Sequence, residues 1–272
     1  MKAARFDYLR PGDVAAALAA LAQTDGAKLV AGGQSLGPML NLRLARPPLL
    51  IDVSRLEALQ QIEDIGSAWR IGAGVTHARL EDTPLAGGEM LRAVAGAIAY
   101  RSIRNRGTIG GSLAHADPAA DWLLALATLG ASVNIRGPQR RSVPVERFAL
   151  GAFTTALQAN EIIESIDVPK LSPAARYGFY KFCRKTGDFA EASAAAVLDP
   201  QSGAARIFLG ALRGSPQPLA ALAQRVATAG VRAVSMEAVT DALAQSVADL
   251  DAVERRMAVS AVMRALQQAL AP

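Results

Sequence analysis

The chain has 272 residues, 51% hydrophobic and 19% charged, which allows a sizeable core and excludes a disordered chain. Its net charge of +5 comes from 29 scattered Lys and Arg residues, and the 5% aromatic content does not interleave with them as a nucleic-acid stacking platform requires. One cysteine, Cys183, excludes an internal disulfide and any cysteine-ligated cluster held by this chain alone, which fits a reducing cytoplasm.

The opening MKAARFDYLRPGD has no apolar leader core, and no apolar run reaches the roughly 18 residues that suggest a membrane span. A cytoplasmic protein is expected, with no nucleic-acid partner, and with any contact to the inner membrane face made through partners. Asp13 reads as the N-cap of a helix of about three turns that carries Val14, Leu18 and Leu21 on one face, with Gly26 where a C-terminal cap belongs. AKLVAGG predicts a short buried strand running into a glycine turn, PPLLIDVS a second strand and AWRIGAGVT a third. From Glu89 to Tyr100, Leu91, Val94, Ala95 and Ile98 keep helical spacing. A basic loop, RSIRNRG, and a second glycine turn follow. Asp121 to Leu129 predicts a short helix, ASVNIRG a strand, and NEIIESIDVP a strand closed by Pro169.

After Pro169 and Pro173 the texture changes. RYGFYKFCRKTGDFA is aromatic and basic, ASAAAVLD and ARIFLGAL read as paired strands, and Val253, Met257, Val262, Leu266 and Leu270 stripe a long last helix. The expected class is α+β, a mixed α/β fold with a boundary near residues 170–176. A first domain would span 1–172, in subdomains of about 1–54 and 55–172, and a smaller one 173–272, with a short antiparallel sheet plus helices.

Two stretches carry candidate chemistry, LVAGGQSLGPML at 29–40 and RGTIGGSLAHADPAAD at 106–121. A glycine pair reaches positive φ and lets a ligand approach the main chain, and successive N–H groups in such a turn form a nest for phosphate oxygens. Ser35, Thr108 and Ser112 add hydroxyls beside them. Neither stretch is a G-x-G-x-x-G fingerprint or a P-loop, and each taken alone reads as a tight turn after a strand. Arg104 and Arg106 in the basic loop read either as a solvated face or as an anion-facing one. His77 and His115, the only histidines, lack metal-ligand spacing, so no metal site is expected.

LVAGGQSLGPMLNLRLA, LIDVSRL, RIGAGVTHARLE, IRNRGTIGGSLAHADPAAD, NEIIESIDVP and YKFCRKTGDFAEAS occur in this order. Together they resemble the FAD-binding subunit of molybdenum hydroxylases, the medium subunit of carbon monoxide dehydrogenase type, and more distantly the FAD domain of xanthine dehydrogenase. The resemblance runs over nearly the whole chain. It implies a two-subdomain FAD-binding fold of the PCMH type with noncovalent FAD between the subdomains, its pyrophosphate held from both sides by the glycine turns. On this reading Leu29, Val30, Ala31, Gly32, Gly33, Gln34, Ser35 and Leu36 form one wall. Thr108, Ile109, Gly110, Gly111, Ser112 and Ala114 form the other.

The resemblance also implies that Asp121 meets the ribose hydroxyls of the adenosine half; its alternative is an N-cap for the helix that follows. Ile163 would meet the flavin ring edge through its backbone, and Asp188 would lie near that edge. Lys181 would approach the pyrimidine side, where a positive charge stabilises the reduced flavin and raises its potential; its alternative is a surface lysine on a strand. Gln34 departs from the family, in which many relatives have His there. His115 is expected near the second turn, and Cys183 as a small buried hydrophobe.

No protein group need act as acid, base or nucleophile in such a subunit, because the flavin carries the redox chemistry. The resemblance implies a large molybdenum-cofactor subunit that oxidises the substrate and a small subunit with [2Fe-2S] clusters. The flavin subunit would collect their electrons for a quinone, NAD or oxygen, within a dimer of heterotrimers. Two other readings stay open. One is a self-contained FAD-dependent reductase of the same architecture, resembling the NADPH-using cell-wall reductase; the other is a noncatalytic scaffold with a basic face.

Overall fold

The computed structural model describes residues 2–247 and 249–271. Its first part forms β1 (Asp7–Leu9), α1 (Val14–Gln23), β2 (Lys28–Val30), α2 (Leu36–Asn41) and β3 (Leu49–Asp52). The strands make a parallel sheet in the order β1-β3-β2, and the central β3 is buried from Leu50 to Asp52. The Asp13 carboxylate caps α1 by accepting from the Ala16 N–H at 2.7 Å, and Val14 and Ala17 pack into one cluster with Ile51 and Val53. The helix ends at Gln23 with Thr24 in the cap position, so Gly26 is not the cap; at φ +74° it turns the chain into β2. The burial expected of β2 is not found either. It is an edge strand with one open side, its Lys28 exposed and its Leu29 and Val30 half-buried.

The second part opens with β4 (Ile62–Asp64) and β5 (Ala68–Gly72). Five helices follow: α3 (His77–Asp82), α4 (Glu89–Ala97), α5 (Arg101–Arg104), α6 (Ile109–His115) and α7 (Asp121–Thr128). Then come β6 (Ser132–Arg136), β7 (Arg140–Pro144), α8 (Val145–Phe148), a small hairpin of β8 (Ala149–Gly151) and β9 (Thr154–Thr155), and β10 (Ile162–Pro169). Strands β4-β5-β10-β6-β7, in that order, form an antiparallel sheet. Helix α4 stops at Ala97 rather than Tyr100, because Ala99 takes φ +42° and turns the chain into α5. Every residue of α7 is buried, as a helix that is apolar nearly all round must be.

The third part is an antiparallel sheet of β11 (Arg176–Phe182), β12 (Ala192–Asp199), β13 (Ala204–Gly210) and β14 (Gln217–Pro218), followed by α9 (Ala220–Ala229), α10 (Met236–Ser246) and α11 (Ala252–Leu270). It explains why ASAAAVLD is so rich in alanine. Ala192, Ala194 and Ala196 of β12 join the cluster that contains α11, whereas Ala195 and Val197 face the cluster that contains α7. Small side chains let helices approach this strand from both sides. Gly178 of β11 answers the same demand, since a Cβ there would lie 2.8 Å from the Ala265 carbonyl carbon of α11. Arg206 of β13 donates from Nε and Nη2 to the Thr128 and Ala127 carbonyls at 2.9 and 2.7 Å, which closes the C-terminus of α7. The expected mixed α/β fold is the one found. Among the described residues no helix is long and apolar enough to cross a membrane.

Candidate functional site

The first glycine turn leaves the edge strand β2 at Ala31 and enters α2 at Leu36. Gly33 sits at φ +70°, which a residue with a Cβ rarely adopts. Gly32 is needed for a different reason. A Cβ there would overlap the Arg106 carbonyl and stand 2.9 Å from the Gly107 Cα, because the loop before the second turn presses directly against it. Among the described residues no backbone carbonyl accepts from the N–H groups of Gly32, Gly33, Gln34 or Ser35. Four consecutive donors of one turn therefore have no backbone partner. The Gln34 amide folds back and donates to the Gly32 carbonyl at 3.2 Å, so its side chain braces the turn.

The second turn is built differently. Thr108 is the N-cap of α6, and its Oγ1 accepts from the Gly111 N–H at 3.1 Å. The segment before α3 is stitched to it: Gly110 donates to Ala73 O at 2.9 Å, Ile109 to Val75 O at 3.0 Å, and His77 to Gly107 O at 2.9 Å. A Cβ on Gly110 would stand 2.7 Å from Ala73 O, which is why glycine occupies that place. With the Ser112 N–H bonded to Thr108 O at 3.0 Å, the donors from Ile109 to Ser112 are all engaged within the protein. The expected nest of free N–H groups thus exists in the first turn only. Gly111 and Ala114 lie exposed on α6, with Ser112 half-buried between them.

His77 supports this second turn from below. Its Nδ1 accepts from the buried Trp122 Nε1 at 3.0 Å, and burial, aided by the nearby Arg104 charge, lowers its pKa from 6.5 to about 4. The unfolded chain therefore binds a proton that the folded chain refuses, and stability is lost as the pH falls from about 6.5 toward 4, by about 3 kcal/mol from this group. Denaturant titrations at pH 7 and pH 4.5 should show a smaller loss for His77→Gln than for the parent. Equal losses would remove His77 as a source of acid lability.

The two turns touch, the Arg106 Nε donating to the Gly32 carbonyl at 3.3 Å. Between them opens a cleft of about 270 Å³, bounded by Ala31 and Gly32 on one side, by Arg106 and Thr108 on another, and by Gly74 and Thr76 on a third. The third wall, from GAGVT, was not expected. Its signal is a glycine that follows a strand, with room for a Cβ only 3.0 Å from Leu59 O. A larger open hollow of about 780 Å³ lies beside Lys2–Phe6, Arg43 and Arg46 and shares no residue with this cleft. The basic loop divides its arginines between tasks. Arg104 pairs with Glu81 at 2.8 Å and holds the Ile98 and Ala99 carbonyls, so it is structural, whereas Arg106 faces the cleft.

Asp121 and Lys181, expected at opposite ends of a dinucleotide, are neighbours. The Asp121 Oδ2 accepts from the Lys181 Nζ at 2.9 Å with both side chains less than 10% exposed, and the Nζ also donates to Ala97 O at 3.2 Å. The fold therefore joins the two residues in one buried ion pair. The reading of Lys181 as a surface lysine is excluded. Asp121 does not cap α7 either, since the cap position is Ala120. Its Oδ1 is buried with no partner, the one such side-chain atom among the described residues. Burial raises the Asp121 carboxyl above its ordinary pKa, and Lys181 opposes that rise.

Ile163 stands in β10 at a bulge, its side chain in the core, so only its backbone could meet a ligand. The bulged Glu164 accepts the Ala73 N–H at 3.1 Å and so ties this strand to the second turn. Asp188 lies in the loop after β11, whose Gly187, at φ +91°, packs against Ala99, two residues beyond the Ala97 carbonyl that Lys181 holds. His115 packs beside Phe153, with ring centroids 5.1 Å apart and the rings tilted by 50°. Cys183 is half-exposed rather than buried. No group of three His, Cys, Asp or Glu side chains suited to a metal occurs among the described residues.

A turn of free N–H groups and glycines placed where a Cβ would collide suit a phosphate-bearing ligand, and Asp121 and Lys181 are not among the residues that bound this cleft. Residues 4–171 match the model of the FAD binding domain in molybdopterin dehydrogenase. The chain is 40% identical over 198 residues to the carbon monoxide dehydrogenase medium chain of Hydrogenophaga pseudoflava, covering 71% of this chain and 69% of that one. It is 35% identical over 223 residues to the nicotine 6-hydroxylase medium subunit of Paenarthrobacter nicotinovorans, covering 80% and 78%. The carbon monoxide dehydrogenase structure from Hydrogenophaga pseudoflava that lacks the Mo-pyranopterin moiety superposes with a TM-score of 0.90 at 35% identity, over 99% of this chain and 98% of that one.

Proposed function

The chain belongs to the family of FAD-binding domains in molybdopterin dehydrogenases, and on that footing we propose that it is the FAD-carrying electron-transfer subunit of a molybdenum hydroxylase complex. It is an oxidoreductase component. In this reading it receives electrons from [2Fe-2S] clusters of a small partner subunit, supplied by a large molybdenum-cofactor subunit, and passes them to an external quinone, NAD or oxygen. The assembly would be a dimer of heterotrimers in the cytoplasm. Relatives that are themselves named as medium subunits support the division of labour, and so does a single cysteine, which cannot hold a cluster.

FAD, when bound, accepts electrons singly and releases them as a pair. The chain's own residues bind it and set its surroundings. The N–H groups from Gly32 to Ser35 would receive the pyrophosphate, and the segment from Thr108 to Ala114 would close the cleft. Asp121 would accept a cofactor hydroxyl with its free oxygen, beside Lys181, whose charge bears on the reduced flavin. Ile163 would offer only its backbone. We propose the same division of the chain as from sequence, 1–172 for flavin binding and 173–272 as a second domain. It is supported by a family match that ends at residue 171 and by a separate apolar cluster around α11.

The observation that carries the assignment is the run of free N–H groups from Gly32 to Ser35, in a turn that borders an acid-free cleft through Ala31 and Gly32. Purified chain should be yellow with a flavin spectrum, or become so on adding FAD. A colourless protein that FAD does not load would overturn the assignment. Copurification with a large and a small subunit should separate the complex from a stand-alone reductase, which would come alone.

A further inference from the structure

Two arginines of the cleft have no part in the reading above. Arg79 projects from α3, with Nη1 donating to the Gln60 carbonyl, and Arg106 is anchored by its Nε to Gly32 O. A guanidinium carries five N–H donors, so each keeps several for the cleft. Their neighbours Arg101 and Arg104 are neutralised by Glu81 and Asp82. Among the described residues neither Arg79 nor Arg106 has a carboxylate partner, and no acidic side chain lines the cleft. Gln34 brings no charge, and its amide is turned to Gly32 O. The positive charge of the cleft therefore rests on these two residues.

We propose that Arg79 and Arg106 are the cation pair that holds the pyrophosphate of the dinucleotide and makes the site prefer FAD to unphosphorylated flavin. The proposal rests on the assignment of this cleft to FAD. A pyrophosphate diester carries two negative charges, and a planar guanidinium meets phosphate oxygens with paired, charge-assisted hydrogen bonds. The free backbone donors orient the phosphates, and the arginines supply the opposite charge. Two exposed cations make the attraction sensitive to ionic strength.

The test uses the full chain stripped of flavin, with FAD, ADP and riboflavin titrated at low and high salt. ADP carries the pyrophosphate without the flavin, and riboflavin the flavin without a phosphate. Arg79→Gln and Arg106→Gln should each weaken FAD and ADP about tenfold or more, flatten their salt dependence, and leave riboflavin within about twofold of the parent. Arg79→Lys should recover part of the loss, since it restores charge without the paired geometry. Should Arg106→Gln loosen the turn it braces, Arg79→Gln alone decides, because its side chain is exposed on α3. FAD and ADP affinities within about twofold of the parent in both variants, with the parent binding FAD, would overturn the cation pair and leave the flavin assignment standing. Failure of the parent to bind FAD would overturn both.

Discussion

Gly32→Ala is expected to yield a chain that purifies without flavin and is less stable by about 1–3 kcal/mol. The new methyl group would meet the Arg106 carbonyl and the Gly107 Cα, both main chain, so no side chain can swing aside to admit it. The two turns must part, and with them the walls of the cleft. Gly37→Ala is the matched control. It adds the same group five positions on, inside α2, with nothing within 4 Å. That variant should keep its flavin and gain up to about 1 kcal/mol from helix propensity. Flavin content is read from absorbance and stability from denaturant unfolding. Full flavin occupancy in Gly32→Ala would mean that the contact between the turns does not shape the site.

Lys181→Ala should destabilise the folded chain by about 3–5 kcal/mol at neutral pH, because it leaves a buried carboxylate without its cation. Burial already raises the Asp121 carboxyl, and loss of the lysine pushes it further up. A carboxyl whose folded pKa lies above its unfolded value of about 3.9 favours folding most below that value, and the advantage fades as the pH rises through the folded pKa. The deficit of the variant relative to the parent is therefore largest at neutral pH and shrinks toward acid. Lys181→Ala/Asp121→Ala should regain part of the loss, since no charge is left stranded. In flavin-loaded protein the midpoint potential of Lys181→Ala should fall, and fall further as the pH rises and Asp121 ionises. Unfolding midpoints that coincide for parent and Lys181→Ala at every pH would show that the pair contributes nothing.

What could be read from the sequence was local. Asp13 announces α1 because an N-cap and the helix it starts are adjacent, and Gly32-Gly33 announces a turn because Gly33 itself takes φ +70°, whereas Gly110 and Gly111 lie inside the first turn of α6. The long apolar stripe of α11 was legible for the same reason. Strands β1 and β4 were missed, as three-residue segments that are mostly exposed carry no alternation to detect. The end of α4 was misplaced because Ala99 adopts positive φ within a loop that Arg104 holds from outside.

In the candidate site, the residue types were visible and their partners were not. Gly32 meets a loop 74 positions away, and Asp121 meets Lys181 across 60. No periodicity encodes such pairings. The closed donors of the second turn were hidden likewise, since Ala73 and Val75 accept them from a segment that looked only like the end of a strand. Resemblance brought Asp121 and Lys181 to notice, and only the fold joined them.

The bridge between α7 and β11 also sets an order of events in time. Lys181 follows Asp121 by 60 positions, so at synthesis rates of about 5–20 residues per second the carboxylate waits roughly 3–12 s for its cation. Over that interval α7 also lacks the cover of β12 and β13, strands that its buried residues require on one side. A polypeptide interrupted before β11 would thus present an apolar helix tipped with a lone acid, a state that chaperones bind. Completion of β11 to β13 is the step that both covers α7 and pairs its acid.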